Sequence, residues 1–165
     1  MPEYKTVFGS LASYEKGGVE VINDRPQNYV FSNFFEVASR SKPWEKVAVA
    51  KNMEYVIEAI RAEGVSPWRI APHDEFALVM DGQVTIDLLD PDSVSADSNG
   101  TGSKVIEGEP SGKKMGRIVA TRGHMSLLPA NRCYRMSADD ASVVLLQTIQ
   151  GPDTIERWSK ICQTY

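Results

Sequence analysis

The sequence predicts an all-β protein, a β-sandwich or β-barrel with one or two short helices. Three observations carry this prediction: many short runs of β-branched and aromatic residues, an Asp-Gly pair between two such runs, and only two segments with helical spacing. The chain has 165 residues, of which 42% are hydrophobic and 24% charged, as is typical of one soluble globular domain. We expect a single domain over 1–165, with N-terminal strands and a helix over 1–66, a barrel core over 67–150 and a helical tail over 151–165.

The N-terminal part of the chain is predicted to form strands and one helix. Clusters of apolar and β-branched residues predict strands at 19–22, 29–37 and 47–50. A helix is predicted from Asn52, its expected N-cap, to Gly64, its expected stop. The apolar face of this helix follows the spacing i, i+3, i+4, i+7, with Met53, Val56, Ile57 and Ile60.

The strongest strand signal is a pair of apolar runs on either side of Asp81-Gly82. Because an Asp-Gly loop favours a type I′ turn, residues 75–80 and 83–89 are predicted to pair as a hairpin. One face of the hairpin would carry Glu75, Ala77, Val79, Val84, Ile86 and Leu88. The other face of the first strand is also apolar, with Phe76, Leu78 and Met80. Either the predicted helix over 53–60 or another subunit must cover that face.

The remaining elements are predicted from composition and turn residues. Residues 91–116 are rich in Gly, Ser and Pro, which predicts a long mobile loop with a short strand near 104–106. Further strands are expected at 117–121, 125–128 and 142–149, with a turn at Asp139-Asp140 before the last one. In the tail, the helical spacing is that of Ile155, Trp158, Ile161 and Cys162.

Charge and cysteine content exclude several classes of protein. With 18 basic and 22 acidic residues, the net charge of −4 argues against a general nucleic-acid-binding protein. No apolar run approaches the length of a membrane span, and no signal peptide is recognisable. Cys133 and Cys162 lie too far apart to indicate a disulfide framework. We therefore expect a cytoplasmic protein that binds neither nucleic acid nor a membrane.

Two short motifs lie within the predicted barrel core. Glu75 stands seven residues before Gly82, as in the first cupin motif. In the second motif, Gly123 and five further residues precede Pro129-Ala130-Asn131, where the asparagine can adopt the left-handed conformation that glycine usually supplies. The two motifs resemble those of the cupins, and the resemblance implies a jelly-roll fold and, in metal-binding members, a cation held by imidazoles and a carboxylate.

Most of the metal-ligand positions that the cupin resemblance implies are replaced in this chain. Arg69 and Ala71 stand where the first motif has histidines, and Tyr134 stands where the second has one, so that only Glu75 remains. One carboxylate is too few ligands for a catalytic metal. We predict a vestigial metal site with no catalytic residue, in which the Arg69 guanidinium takes the place of the cation and pairs with Glu75. The Tyr134 hydroxyl would add a further hydrogen bond.

Two alternatives stay open at this point. His73, Glu75 and His124 could form a non-standard metalloenzyme site, since His73 lies two residues before the glutamate and His124 follows the glycine of the second motif. The chain could instead be a stand-alone metal-free cupin that binds a small ligand. Trp68 adjoins the degenerate site, and its indole N–H could hydrogen-bond a phenol.

Longer stretches of the chain resemble the small subunit of hydroquinone 1,2-dioxygenases, at 52–64, 66–68, 73–76, 129–135 and 151–158. The resemblance implies a heteromeric enzyme, with an α2β2 heterotetramer as one arrangement, in which a larger cupin subunit holds Fe(II). Such an enzyme opens the ring of hydroquinone, an aromatic diol, with O₂ to give 4-hydroxymuconic semialdehyde in the bacterial degradation of 4-nitrophenol and related aromatics. This chain would then hold no cofactor and would stabilise the iron-bearing subunit. The candidates for contact with the substrate pocket or the partner are Trp68, Phe76, Leu78 and Met80.

Overall fold

The computed structural model describes residues 8–15, 17, 23, 33–93 and 102–157. Within these ranges the chain forms one helix and ten strands, which confirms the predicted all-β class. The elements are α1 (Phe34–Arg40), β1 (Lys46–Asn52), β2 (Tyr55–Val65), β3 (Arg69–Ile70), β4 (Glu75–Asp81), β5 (Gln83–Pro91), β6 (Lys104–Val105), β7 (Gly112–Thr121), β8 (Met125–Leu128), β9 (Cys133–Ile149) and β10 (Thr154–Ile155). The strands predicted at 47–50, 117–121 and 125–128 are confirmed, and so is the short strand near 104–106.

The long strand β9 organises the sheet. Its C-terminal half pairs antiparallel with β2 on one side and β4 on the other, and its N-terminal half pairs in the same way with β3 and β5. Strands β1 and β10 continue the sheet beyond β2, whereas β8, β6 and β7 lie beyond β4, β3 and β5. The sheet therefore curls around its own inner face and encloses the core, as a barrel-like fold requires.

The inner face of the curled sheet carries alternate residues of each strand. On β4, the inward-facing residues Glu75, Ala77 and Val79 are at most 1% exposed, whereas Phe76 on the opposite face is 40% exposed. On β5, Val84 and Ile86 are fully buried. The predicted division of these two strands into an inner and an outer face is confirmed, because side chains alternate along a strand.

The predicted hairpin between β4 and β5 is wrong, because the two strands do not pair with each other. Both pair with β9: Ala77 lies opposite Leu146, and Ile86 lies opposite Met136. The chain thus bends at Gly82, which has φ +74°, and continues along β9 in the same direction. The glycine of an Asp-Gly pair readily adopts a positive φ, which both a bend and a hairpin turn can use. The pair alone therefore does not show whether the chain continues in the same direction or reverses.

The helix predicted from Asn52 to Gly64 is also wrong, since most of this segment is the strand β2. Met53, with φ 56°, lies in the turn of a β1–β2 hairpin in which Asn52 pairs with Tyr55. Val56 and Ile60 face the core, but Ile57 is 37% exposed and Met53 is 88% exposed. The β-branched residues of this segment favour a strand, and pairing with both β1 and β9 satisfies its backbone on either side.

One helix lies where a strand is predicted. Residues 34–37, the end of the strand predicted over 29–37, belong to α1. The Asn33 side chain caps this helix by accepting hydrogen bonds from the backbone N–H groups of Phe35 and Glu36, at 3.1 and 3.2 Å. A capping residue three positions before a glutamate is a signal for the start of a helix. The sequence analysis missed it because the aromatic residues of this segment favour a strand. Residues 29–32 and the strand predicted at 19–22 lie outside the described residues.

The C-terminal half differs from expectation at several points. The predicted turn at Asp139-Asp140 is wrong because these residues lie within β9. Strand β7 begins at Gly112, inside the segment predicted as a loop. In the tail, Thr154 and Ile155 form β10, parallel to β1, and the predicted helical residues 158, 161 and 162 lie outside the described residues. Among the helices of the described ranges, none is long and apolar enough to cross a membrane. The single domain over 1–165 stays a prediction.

Candidate functional site

The predicted metal-ligand positions come together inside the curled sheet. Arg69 on β3 lies opposite Tyr134 on β9. The backbone carbonyl of Ala71 accepts a hydrogen bond from the backbone N–H of Asn131 at 2.7 Å. Glu75 begins β4, is fully buried, and acts electrostatically on Tyr134. The two cupin-like motifs are therefore neighbours, as the resemblance implies.

The predicted ion pair between Arg69 and Glu75 is not formed. Arg69 Nη1 donates to Asp153 Oδ2 at 2.8 Å, and Glu75 Oε1 accepts a hydrogen bond from Thr148 Oγ1 at 2.6 Å. Asp153 precedes β10, in the segment that the sequence assigned to a helical tail. The strand β10 brings this acid back to the sheet, where it becomes the partner of the arginine.

The buried cation of the site is Lys46, which the sequence analysis missed. Lys46 Nζ lies 3.0 Å from Glu58 Oε2 and donates to Ser103 Oγ at 2.7 Å. The side chains of the lysine and the glutamate are 2% and 0% exposed. Together with Arg69 and Tyr134, Lys46 lines a cavity inside the sheet. The available signal was the charge of Lys46 directly before the apolar strand predicted at 47–50. Its partner Glu58 was missed because the sequence predicts a helix for that segment.

Burial is the largest influence on the pKa of the Glu58 carboxyl. Burial raises its pKa, and the charge of Glu75 adds to that rise, whereas Lys46 and a hydrogen bond from Thr154 oppose it. The net effect is a raised pKa, because removing a carboxylate from water disfavours its charged form. Ionising the Glu58 carboxyl is therefore costly in this buried place, and the nearby Lys46 ammonium offsets part of that cost.

A second buried carboxylate lies one threonine away from His73. Thr148 Oγ1 donates to Glu75 Oε1 at 2.6 Å and lies 2.9 Å from His73 Nε2. Because the hydroxyl proton of Thr148 goes to Glu75, the contact with His73 is a hydrogen bond only in the tautomer that carries a proton on Nε2. In the other tautomer, Nε2 instead accepts a hydrogen bond from the backbone N–H of Ile149 at 3.2 Å. His73 also lines an open groove.

The Tyr134 phenol stays neutral in this environment. Burial raises its pKa well above the usual value, and the negative charge of Glu75 raises it further. The hydroxyl lies near the glutamate but makes no hydrogen bond of acceptable geometry within the described part of the chain. A phenol must lose its proton to be a strong metal ligand, and here that loss is disfavoured.

The side chains at the four cupin positions do not fit a metal ion. Iron in a cupin is held by imidazole nitrogens and a carboxylate. Here a guanidinium, a methyl group and a neutral phenol stand beside Glu75, and the Glu75 carboxylate already accepts a hydrogen bond from Thr148. Among the residues that the structure describes, no group of three or more His, Cys, Asp or Glu side chains is arranged to hold a metal ion.

The alternative site of His73, Glu75 and His124 is not assembled. The His124 ring lies in the β7–β8 turn, where its Nδ1 is 3.0 Å from both the hydroxyl and the carbonyl oxygen of Thr121. Its own carbonyl pairs with the backbone of Val79, near the far end of β4 from Glu75. The two histidines therefore lie at opposite ends of the strand.

Trp68 is held by the chain itself. It is 7% exposed, and its indole N–H donates to Glu109 Oε2 at 2.7 Å. The Arg135 guanidinium lies over its ring, 4.6 Å from the centroid. Since the indole N–H already has an acceptor, it is not available to a phenol in this arrangement.

No family model and no curated protein matches the chain, but solved structures do. It is similar to a chain of hydroquinone 1,2-dioxygenase from Sphingomonas sp. TTNP3 with 4-hydroxybenzoate bound, at 52% identity and a TM-score of 0.92. That match covers 98% of this chain and 99% of the other. A chain of hydroquinone 1,2-dioxygenase PnpCD, in complex with Cd²⁺ and 4-hydroxybenzonitrile, is 48% identical over 98% of both chains, with a TM-score of 0.90.

Two more distant likenesses bear on the fold. A longer chain in a PnpCD structure with Fe³⁺ matches 86% of this chain and 40% of its own length, at 15% identity and a TM-score of 0.61. A protein with a cupin-2 domain from Shewanella frigidimarina matches 75% of this chain, at 17% identity and a TM-score of 0.50. The cupin jelly-roll fold is therefore confirmed. The enzyme structures of this name contain both a chain like this one and a larger chain of related fold.

Proposed function

Because the chain belongs to the hydroquinone 1,2-dioxygenase family, we propose that it is the metal-free, non-catalytic subunit of a heteromeric Fe(II)-dependent dioxygenase. Its partner is the larger cupin-like chain, which holds the iron. The assembled enzyme opens the ring of hydroquinone with O₂ and forms 4-hydroxymuconic semialdehyde. This chain stabilises the iron-bearing subunit and supplies no catalytic residue.

The replaced ligand set is the observation that carries this proposal. Relatives of this name hold Fe³⁺ or Cd²⁺, while Arg69, Ala71 and Tyr134 stand at three of the four ligand positions here. The Lys46 ammonium, paired with Glu58, lines the same cavity as Arg69 and Tyr134. An enzyme that needs a metal and has one chain without ligands must bind that metal on its other chain.

The family resemblance supports the remaining parts of the proposal. We propose an α2β2 assembly in the cytoplasm, with an aromatic diol as substrate. We also propose that residues 1–165 act in it as one cupin-like unit, with Glu75, Tyr134 and their neighbours as a vestigial metal site.

Iron content tests the proposal directly. The chain is purified alone and together with the larger subunit, loaded anaerobically with Fe(II), and its iron measured by elemental analysis. We expect almost no iron on the isolated chain, and ring cleavage of hydroquinone with O₂ uptake only when both chains are present. One iron per isolated chain would refute the proposal.

Two variants separate this proposal from the metalloenzyme alternative. His73→Gln and His124→Ala should leave the iron content of the complex unchanged, because neither imidazole is a ligand under the proposal. Loss of iron in both variants would favour the alternative site. Binding of hydroquinone by the isolated chain would favour a stand-alone ligand-binding cupin.

A further inference from the structure

We propose that the vestigial metal site of this chain binds one water molecule, held by Trp44, Tyr134 and Glu75. Trp44 and Tyr134 line the cavity inside the sheet in which this water would lie. Tyr134 and Glu75 stand at two of the four positions that hold the cation in a metal-binding cupin. The inference rests on the proposed function in one respect, namely that this site holds no metal ion.

Three buried polar atoms at this site need a hydrogen-bond partner. Tyr134 Oη, Trp44 Nε1 and Glu75 Oε2 are shielded from solvent, and none of them has a partner within the part of the chain that the structure describes. The charge of Glu75 acts on the Tyr134 hydroxyl, so the carboxylate lies beside the phenol. Burying a polar atom without a partner is costly, and buried polar atoms in native proteins are therefore hydrogen-bonded to the protein or to water.

The backbone at Trp44 indicates that the position of its indole matters. Trp44 has φ +65°, a left-handed conformation that is unfavourable for a bulky side chain and that occurs mainly where function requires it. Its backbone N–H donates to the carbonyl oxygen of Arg61 at 2.9 Å, which ties it to β2. Its ring packs against the main core cluster, which includes Ile60 and Leu146. The fold thus keeps the indole at the cavity in spite of the backbone strain.

The pattern of donors and acceptors determines which ligand fits. An indole N–H can only donate a hydrogen bond, an ionised carboxylate can only accept one, and a phenol hydroxyl can do either. A simple anion would serve the indole but not the carboxylate, whereas a cation would serve the carboxylate but not the indole. Water both donates and accepts, and three partners are the usual number for a buried water molecule.

The charges around the cavity also favour a neutral ligand. Lys46 is paired with Glu58 at 3.0 Å, and Arg69 is paired with Asp153 at 2.8 Å. Each of the two cations therefore has its own carboxylate, and Glu75 adds a further acidic group beside the site. An additional anion would meet three acidic side chains and two cations that are already paired, and its repulsion is strong where water is excluded.

The size of the cavity agrees with this choice of ligand. The cavity volume is about 20 Å³, which is enough for one water molecule and too little for an aromatic diol. The remaining walls include the apolar side chains of Ile60, Met136 and Leu146. A water molecule would therefore be held on the polar side of the cavity, and the site would take no substrate.

Crystals of the full-length chain test the assignment with three measurements on the same cavity. At a resolution that shows ordered water, we expect a density peak at about 2.7–3.2 Å from Trp44 Nε1, Tyr134 Oη and Glu75 Oε2. Bromide soaking and xenon pressure, read by anomalous diffraction, should give no peak there. A bromide peak would assign the site to an anion, and a xenon peak would show an apolar cavity without water. Either peak would overturn the proposal, and so would a direct hydrogen bond from the phenol to the carboxylate with no density beside the indole.

Thermal melting of two hydroxyl-deletion variants gives an independent measurement. Tyr134→Phe removes one partner of the water and should lower the melting temperature by about 2–4 °C or more. Tyr55→Phe is the matched control, because it deletes the same group from a side chain that is 55% exposed, and it should melt as wild type does. An unchanged or raised melting temperature of Tyr134→Phe would contradict the proposal, since deleting an unpartnered buried hydroxyl costs nothing.

The same crystals keep this inference separate from the proposed function. After anaerobic loading with Fe(II), an anomalous iron peak beside Glu75 would refute the proposed function and the water site together. A bromide peak, a xenon peak or missing density beside the indole would overturn the water site alone, because a metal-free subunit does not require a bound water.

Discussion

At the scale of single residues, the ion pair of Lys46 and Glu58 offers the sharpest test of the buried site. Lys46→Met removes the ammonium and leaves the carboxylate without its cation, which should lower the free energy of unfolding by about 3–5 kcal/mol. The double variant Lys46→Met/Glu58→Met should regain most of that loss, since both charges are then gone. Urea unfolding of the four proteins of this cycle measures the coupling. A double variant no more stable than Lys46→Met would contradict the predicted dependence.

The pH dependence of the same variant follows from the Glu58 carboxyl. Burial raises its pKa in the folded state above that of the unfolded chain. The stability that Glu58 contributes is therefore complete below the unfolded pKa and is lost as pH rises through the folded pKa. Lys46 lowers this pKa, so Lys46→Met should lose more stability than wild type as the pH rises above the pKa of an unfolded glutamate. Parallel stability profiles for the two proteins would show that the pair is not coupled.

At the scale of secondary-structure elements, the bend between β4 and β5 depends on Gly82. A Cβ there would lie 2.1 Å from Ser142 Oγ and 2.8 Å from Ser142 Cβ, at φ +74°. Gly82→Ala should therefore lower the free energy of unfolding by more than about 2 kcal/mol, from backbone strain and from the clash together. Gly123→Ala is the matched control, because its φ is +86° and nothing lies within 4 Å of the added Cβ. Equal losses in the two variants would mean that the contact with Ser142 contributes nothing.

The elements also show where sequence patterns are ambiguous. Val56 and Ile60 fit both a helical spacing and the alternation of a strand, and pairing of β2 with two neighbours decided for the strand. In the opposite direction, the aromatic run before Val37 predicts a strand, yet the Asn33 cap and burial of Phe35 made it a helix. In both segments the tertiary contacts, and not the local propensity of the residues, determined the secondary structure. Such contacts contribute more to stability than the propensities do.

At the scale of the whole molecule, the proposed assembly predicts a change in hydrogen exchange. On addition of the larger subunit, amides of the strands that it covers should exchange more slowly, because a partner that binds only the folded chain suppresses local unfolding. Mass spectrometry of peptides from the free and complexed chain measures the difference. Exchange that is unchanged in every peptide would contradict the proposed assembly.

The sequence by itself determined the all-β class, the inward and outward faces of β4, and the presence of Arg69, Ala71 and Tyr134, rather than histidines, in the two cupin-like motifs. These properties are local, because alternation and motif spacing can be read within a short stretch of chain. Only the tertiary structure decided that Arg69 pairs with Asp153, 84 positions away, and that Lys46 reaches Ser103, 57 positions away. It also decided that β4 and β5 both pair with β9. Such contacts join segments that are distant in the sequence, so a short stretch of chain does not reveal them. A buried charge has lost its hydrogen bonds to water and pairs with whichever partner the fold brings within hydrogen-bond distance.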